Sequence, residues 1–126
     1  MIHYNSDLVQ LAGLRELEAV QGSLRIKYND ALPSLHGLNS LRAVGEYISV
    51  LYNDSLESLR GFSGLASVGN ACTDDMVYCG QLLISSNASL PPCEGEWLVE
   101  NFLSVNDGFH YGSIVITNNT GTGSCD

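Results

Sequence analysis

LRIKYNDALPSLHGLNSLRAV, running from Leu24 to Val44, is written three times in this chain with the wording changed and the spacing kept. An aliphatic-x-x-Asn run closes at Asn5, Asn29 and Asn53, opening at Ile2, Ile26 and Val50, so the three Asn residues stand 24 positions apart. The register continues through Leu8, Leu32 and Leu56, then Leu11, Leu35 and Leu59, then Gly13-Leu14, Gly37-Leu38 and Gly61-Phe62, then Leu17, Leu41 and Leu65, then Val20, Val44 and Val68. A fixed period in this range signals a solenoid, in which a repeat buries its apolar edge by stacking on its neighbours. Each repeat reads as a short strand (Leu24-Arg25-Ile26 and Ile48-Ser49-Val50, alternating in and out), an Asn turn, and a leucine-spaced arc too rich in Gly and Ser for a long helix. The expected fold is mainly β: a leucine-rich β-solenoid of about five coils, with parallel sheets and a C-terminal capping helix. Asn suits the turn because its amide satisfies backbone groups, and in a stack it can also bond to the next coil. On that reading Asn5, Asn29, Asn53, Asn87 and Asn119 are a structural ladder.

One domain spans 1–126, with the regular 24-residue repeats over 1–70, an inserted disulfide loop over 71–81, and the last coils over 82–126. The insertion shows as a delay: the run from Ile84 to Asn87 comes 34 residues after Asn53. Cys72 and Cys79 lie inside it, a spacing that a local disulfide could close. The next coil replaces its leucine arc with PPCEGEWLVENFL, which predicts a capping helix over about 92–103. Pro91 and Pro92 fit its entry, Glu94, Glu96 and Glu100 suit the dipole of its N-terminal half, and Trp97, Leu98, Phe102 and Leu103 supply an apolar face. A terminal strand over about 113–117 precedes Asn118-Asn119, and a bond from Cys93 to Cys125 would pin the tail beyond it.

Lys and Arg total 5 against 14 Asp and Glu, a formal charge of −9. That balance argues against nucleic acid and anionic lipid, which need clustered cations. There is no apolar run long enough to span a membrane, and MIHYNSDLVQ has neither the basic nor the apolar region of a signal peptide, so no membrane insertion is expected. Four cysteines in a short acidic chain suggest two disulfides and an oxidising compartment, although four cysteines alone allow three pairings. Export follows, and with it a leader or upstream domain outside this sequence.

The pattern L-x-I-x-x-N-x-x-L-x-x-L-x-G-L-x-x-L-x-x-V is met by Leu24, Ile26, Asn29, Leu32, Leu35, Gly37, Leu38, Leu41 and Val44, and is repeated from Ile48 to Val68. It resembles the receptor L domain, the leucine-rich right-handed β-solenoid of the insulin and epidermal growth factor receptor ectodomains, and more closely the secreted bacterial and protist versions. The likeness covers roughly the whole chain. Relatives of that kind tend to end in a Leu-Pro-x-Cys helix, a short strand and a final Cys, similar to Leu90-Pro91-Pro92-Cys93, Ile114 to Asn118 and Cys125. The resemblance therefore supports the Cys93 to Cys125 pairing. It implies a right-handed coil and a binding scaffold with no shared catalytic apparatus. Two features depart from it: the insertion around Cys72 and Cys79, and the lack of an N-terminal helix to seal the first coil.

Candidate chemistry is sparse. His3, His36 and His110 fall at different positions of the repeat, and there is no H-E-x-x-H, no G-x-S-x-G and no Gly-rich phosphate loop, so no enzyme, cofactor or metal is expected. The cysteine spacings suit disulfides better than zinc. Asp30 and Asp54 align as two carboxylates, and Asp74-Asp75 lie in the insertion, but calcium needs six or more oxygens. Tyr4, Tyr28 and Tyr52 share the position before the ladder Asn and should stack, either as a platform for a sugar or a partner's apolar edge, or as packing that shields the turn. Beside them on the sheet surface run His3, Lys27, Leu51, Ser85 and Thr117. Asn53, Asn87 and Asn118 begin N-x-Ser/Thr acceptor patterns; with Asn53 and Asn87 held in the ladder, Asn118 is the possible glycosylation site. The expected function is extracellular or cell-surface recognition of a protein or glycan through Tyr4, Tyr28, Tyr52, Lys27 and Leu51. The alternative is a structural protein that self-associates as a homo-oligomer through the uncapped coil of Ile2, Leu8, Leu11 and Leu14.

Overall fold

A computed structural model describes residues 2–3, 8, 10–69, 80–106, 114–123 and 125, and of residues 3, 102–106 and 114 it describes the backbone. Strands form where an inward aliphatic residue alternates with an outward one: β1 (Ile2–His3), β3 (Leu24–Lys27), β5 (Ile48–Leu51), β7 (Leu82–Ser85) and β8 (Ile114–Thr117). Short strands also form at the Ala/Ser-Val positions that close each leucine arc: β2 (Ala19–Val20), β4 (Ala43–Val44) and β6 (Ser67–Val68). Among the described residues they make two sheets, ordered β1-β3-β5-β7-β8 and β2-β4-β6, and every pairing in them is parallel. Both sheets are open, the larger one ending at β1 and β8. Its register aligns Ile2, Ile26, Val50, Ile84 and Ile116 in one row, so the chain comes back to the same row once per strand and lays down a layer each time.

The core lies between the two sheets. Ile26, Leu32, Leu35, Leu38, Leu41 and Val44 are fully buried, as are their counterparts Val50, Leu56, Leu59, Phe62 and Leu65 one layer on. Each such aliphatic side chain contributes about 1.5–3 kcal/mol by leaving water. Gly37 and Gly61 explain why the pattern asks for glycine: a Cβ at Gly37 would fall on the Leu11 carbonyl, and one at Gly61 on the Leu35 carbonyl. The layers touch there backbone to backbone. Gly13, at the same position of the first layer, has no described residue within reach of a Cβ.

Buried asparagines join the layers. Asn29 donates its backbone N–H and its Nδ2 to Asn53 Oδ1 at 3.0 and 3.1 Å, Asn53 does the same to Asn87 Oδ1 at 3.0 and 3.2 Å, and Asn87 to Asn119 Oδ1 at 3.2 and 3.0 Å. The Nδ2 groups also donate backwards, from Asn29 to the Ile2 carbonyl, Asn53 to Ile26, Asn87 to Val50 and Asn119 to Ile84. Asn5 lies outside the described residues.

Helix α1 (Pro92–Asn106) takes the place of the leucine arc in the fourth layer and runs three residues beyond the expected 103. Ser104-Val105-Asn106 holds no Gly or Pro to stop it; the first such residue after Pro92 and Gly95 is Gly108. Pro92 fits the first helical position because its missing N–H would have no partner there. Glu94 does something other than complement the helix dipole: it is 3% exposed, Oε1 accepts from the Leu59 N–H at 2.8 Å, and Oε2 accepts from Arg60 Nε at 3.2 Å. Arg60 also donates to the Cys125 carbonyl at 2.9 Å and stacks over Trp97 at 4.2 Å, so one guanidinium ties the third layer, the helix and the tail together. Cys93 and Cys125 are joined by a disulfide with Cα atoms 6.1 Å apart. The last strand begins at Ile114; Ser113 lies outside the described residues, as do Cys72 and Cys79.

Candidate ligand-binding face

Because side chains alternate along a strand, the outer face of the larger sheet is set by Arg25 and Lys27 on β3, Ser49 and Leu51 on β5, Leu83 and Ser85 on β7, and Val115 and Thr117 on β8. The register places them in two rows, Arg25–Ser49–Leu83–Val115 and Lys27–Leu51–Ser85–Thr117. These positions hold two cations and no carboxylate in a chain whose formal charge is −9. The His3 side chain is outside the description.

At the margin of this face the chain turns from strand to ladder Asn through a residue with positive φ: Tyr28 (58°), Tyr52 (57°), Ser86 (59°) and Asn118 (56°). For non-glycine residues that region costs about 1–2 kcal/mol. It is held by the next layer, since the N–H groups of Tyr28, Tyr52 and Ser86 donate to the carbonyls of Leu51, Ser85 and Thr117. None of the four is glycine, so the sequence gives no backbone warning of this column beyond the tolerance of Asn118. The rings of Tyr28 and Tyr52 stack with centroids 5.0 Å apart and planes within 5°. Both are exposed, at 37% and 45%, and they are the exposed large hydrophobic residues of the described chain. Tyr52 is followed in the column by Ser86, a small residue. Tyr4 lies outside the described residues.

A pocket of about 410 Å³ opens on the same face and is lined by Arg25, Lys27, Tyr47, Ser49, Leu51, Gln81 and Leu83. Lys27 and Leu51 were legible as surface neighbours of the tyrosines. Arg25, Ser49 and Leu83 were missed, although strand alternation places them on the same side. Tyr47 and Gln81 sit just before β5 and β7, where their carbonyls accept from Leu24 and Ile48 and extend the sheet past the strand ends. The Arg25 guanidinium lies 5.3 Å from the Tyr47 ring centroid, and its Nε is buried without a hydrogen-bond partner. A second cavity, about 470 Å³, lies between helix α1 and the end of β8, with Glu96 and Glu100 on one wall and Ile116 to Asn119 on the other.

The remaining candidates are scattered. Asp30 and Asp54 are exposed, and among the described residues no three His, Cys, Asp or Glu side chains gather as a metal site. Asn118 is exposed, whereas Asn53 and Asn87 are buried with their amides engaged in the ladder. Asp74, Asp75 and His110 lie outside the described residues, and no described helix is long and apolar enough to cross a membrane. Compared with protein-family models, with curated proteins and with solved structures, the chain matches none.

Proposed function

We propose that this chain is a non-catalytic recognition module of the receptor L type, a right-handed β-solenoid of about five coils that binds a protein or glycan through the outer face of its larger sheet. The parallel layers support the solenoid, and a crossover between parallel strands of one sheet is right-handed in nearly all proteins. The Cys93–Cys125 disulfide supports an oxidising compartment, and so a place outside the cell or on its surface. The observation that carries the reading is the stacked, exposed pair Tyr28 and Tyr52 beside Lys27 and Leu51: amphipathic rings held rigidly at a surface suit recognition of sugars and proteins. Screening the chain against glycans and secreted proteins, then repeating each hit with the Tyr28→Ala/Tyr52→Ala double variant, tests it. A loss of about tenfold or more in affinity, with the melting temperature little changed, is the expected result. Hits that survive both the double substitution and changes to the outward residues of β3 and β5 beside it would sink the reading.

A second reading, assembly through the first layer, draws on a separate observation. Ile2, Leu8, Leu14, Leu17 and Val20 are half-exposed, where their counterparts in the second layer are fully buried; Leu11, expected among the uncovered residues, is instead buried in the core. Apolar residues left uncovered at the end of a stack invite another copy.

A further inference from the structure

The pocket between Arg25 and Leu83 holds a chemistry that the tyrosine pair does not explain. Among the described residues that line it, both charged ones are cations and none is Asp or Glu. Among the described residues neither Arg25 nor Lys27 is in an ion pair. They stand two residues apart on one strand and on the same side, which sets their Cα atoms about 6.6 Å apart, close enough for both side chains to reach one small anion. The Arg25 Nε–H is buried with no acceptor, and the guanidinium is held on one side by the Tyr47 ring. A buried donor left without an acceptor is destabilising, and a ligand carboxylate would supply the acceptor as the guanidinium turns to meet it. Around the cations the wall is mixed, with Leu51 and Leu83 apolar and Ser49, Tyr47 and Gln81 polar.

We propose that this pocket binds a carboxylate-bearing sugar, its carboxylate on Arg25 and Lys27 and its ring over Leu51 and Leu83. The inference rests on the reading of the sheet face as the binding surface. One observation selects a sugar over an acidic peptide. Strand backbone groups point along the plane of the sheet, where β5 and β7 are paired on both sides, so this face meets a ligand through side chains. An extended peptide would bring an N–H and a C=O per residue with few partners to meet them, whereas sugar hydroxyls both donate and accept and stay solvated. The net charge of −9 further limits the ligand to one acidic sugar on a neutral chain, because a polyanion is repelled by the rest of the surface.

Titration of the ¹⁵N-labelled chain, followed by NMR and calorimetry, tests this with three probes: sialyllactose, the same trisaccharide with its carboxyl reduced to the alcohol, and a Glu-containing tripeptide. The expected result is that sialyllactose shifts the amides of Arg25, Lys27, Ser49 and Leu51. The reduced form should bind about tenfold more weakly or worse, and Arg25→Gln should produce the same loss for sialyllactose with the spectrum of the fold intact. Equal binding of the two trisaccharides, with loss on Tyr52→Ala and none on Arg25→Gln, overturns the carboxylate site and leaves the sheet-face reading standing. Tighter binding of the tripeptide overturns it in favour of a protein partner. Binding that ignores Arg25→Gln and Tyr52→Ala alike removes both readings, and no shift from sialyllactose at millimolar concentration overturns the site.

Discussion

Gly13 and Gly61 occupy the same place in the 24-residue pattern and live in opposite surroundings. A methyl group at Gly61 would fall on the Leu35 carbonyl; at Gly13 it would meet none of the described residues. The residues around them differ in the same way, with Leu14 and Leu17 half-exposed and Phe62 and Leu65 fully buried. The pattern is thus written for a layer on the preceding side, and the first layer carries it where, among the described residues, no such layer lies. At the other end the design changes: helix α1, the Glu94–Arg60 bridge and the Cys93–Cys125 disulfide replace the leucine arc. One end of the stack carries dedicated chemistry, while the other, among the described residues, keeps the plain repeat.

Substitutions can break this contrast. The largest effect is expected from Gly61→Ala, a backbone collision inside the stack that no rotamer relieves: a loss on the order of 4 kcal/mol in urea unfolding. Gly13→Ala, measured beside it, should be neutral or stabilise by about 0.5 kcal/mol through the unfolded state. Equal losses at the two positions would mean that the glycines serve the turn and not the approach of layers. Asn53→Ala should cost about 3 kcal/mol, because it strips the acceptor from the Asn29 N–H and Nδ2 and the donor from the Ile26 carbonyl, all in the interior. Hydrogen exchange should then show the amide of Asn29 losing its protection first. Arg60→Ala should cost about 2 kcal/mol, less than a fully buried pair, since its side chain is 36% exposed and water can reach the gap beside Glu94. Replacing both Arg60 and Glu94, as Arg60→Met/Glu94→Gln, should recover part of that loss; no recovery would show that the bridge is not what closes this end.

What the sequence disclosed follows from where the forces repeat. The leucine, Asn and Gly columns were legible because each position meets the same neighbour in successive layers, so the same residue type is asked for each time. The insertion and the change to helix showed as breaks in that beat. Glu94 was read as a helix-dipole residue because its real partners, Leu59 and Arg60, are about 35 residues away and occur once. The left-handed turn before the described ladder Asn residues stayed hidden because Tyr28, Tyr52 and Ser86 carry no glycine signal. The tyrosine margin of the sheet face was visible as a column. The pocket beside it was half visible: strand alternation puts Arg25 and Lys27 on one side, but only the register brings Leu83 and Gln81 up to them.

The first layer and the sheet face compete as the working surface, and the solution mass decides between them. Light scattering of the chain and of Leu8→Glu over a wide range of concentration is the direct measurement. A monomer at every concentration, for both proteins, is the expected result and leaves the sheet face with Tyr28, Tyr52 and Arg25 as the surface for ligands. A dimer or polymer that the Leu8→Glu charge dissolves would contradict the account and make the open end of the stack the functional surface.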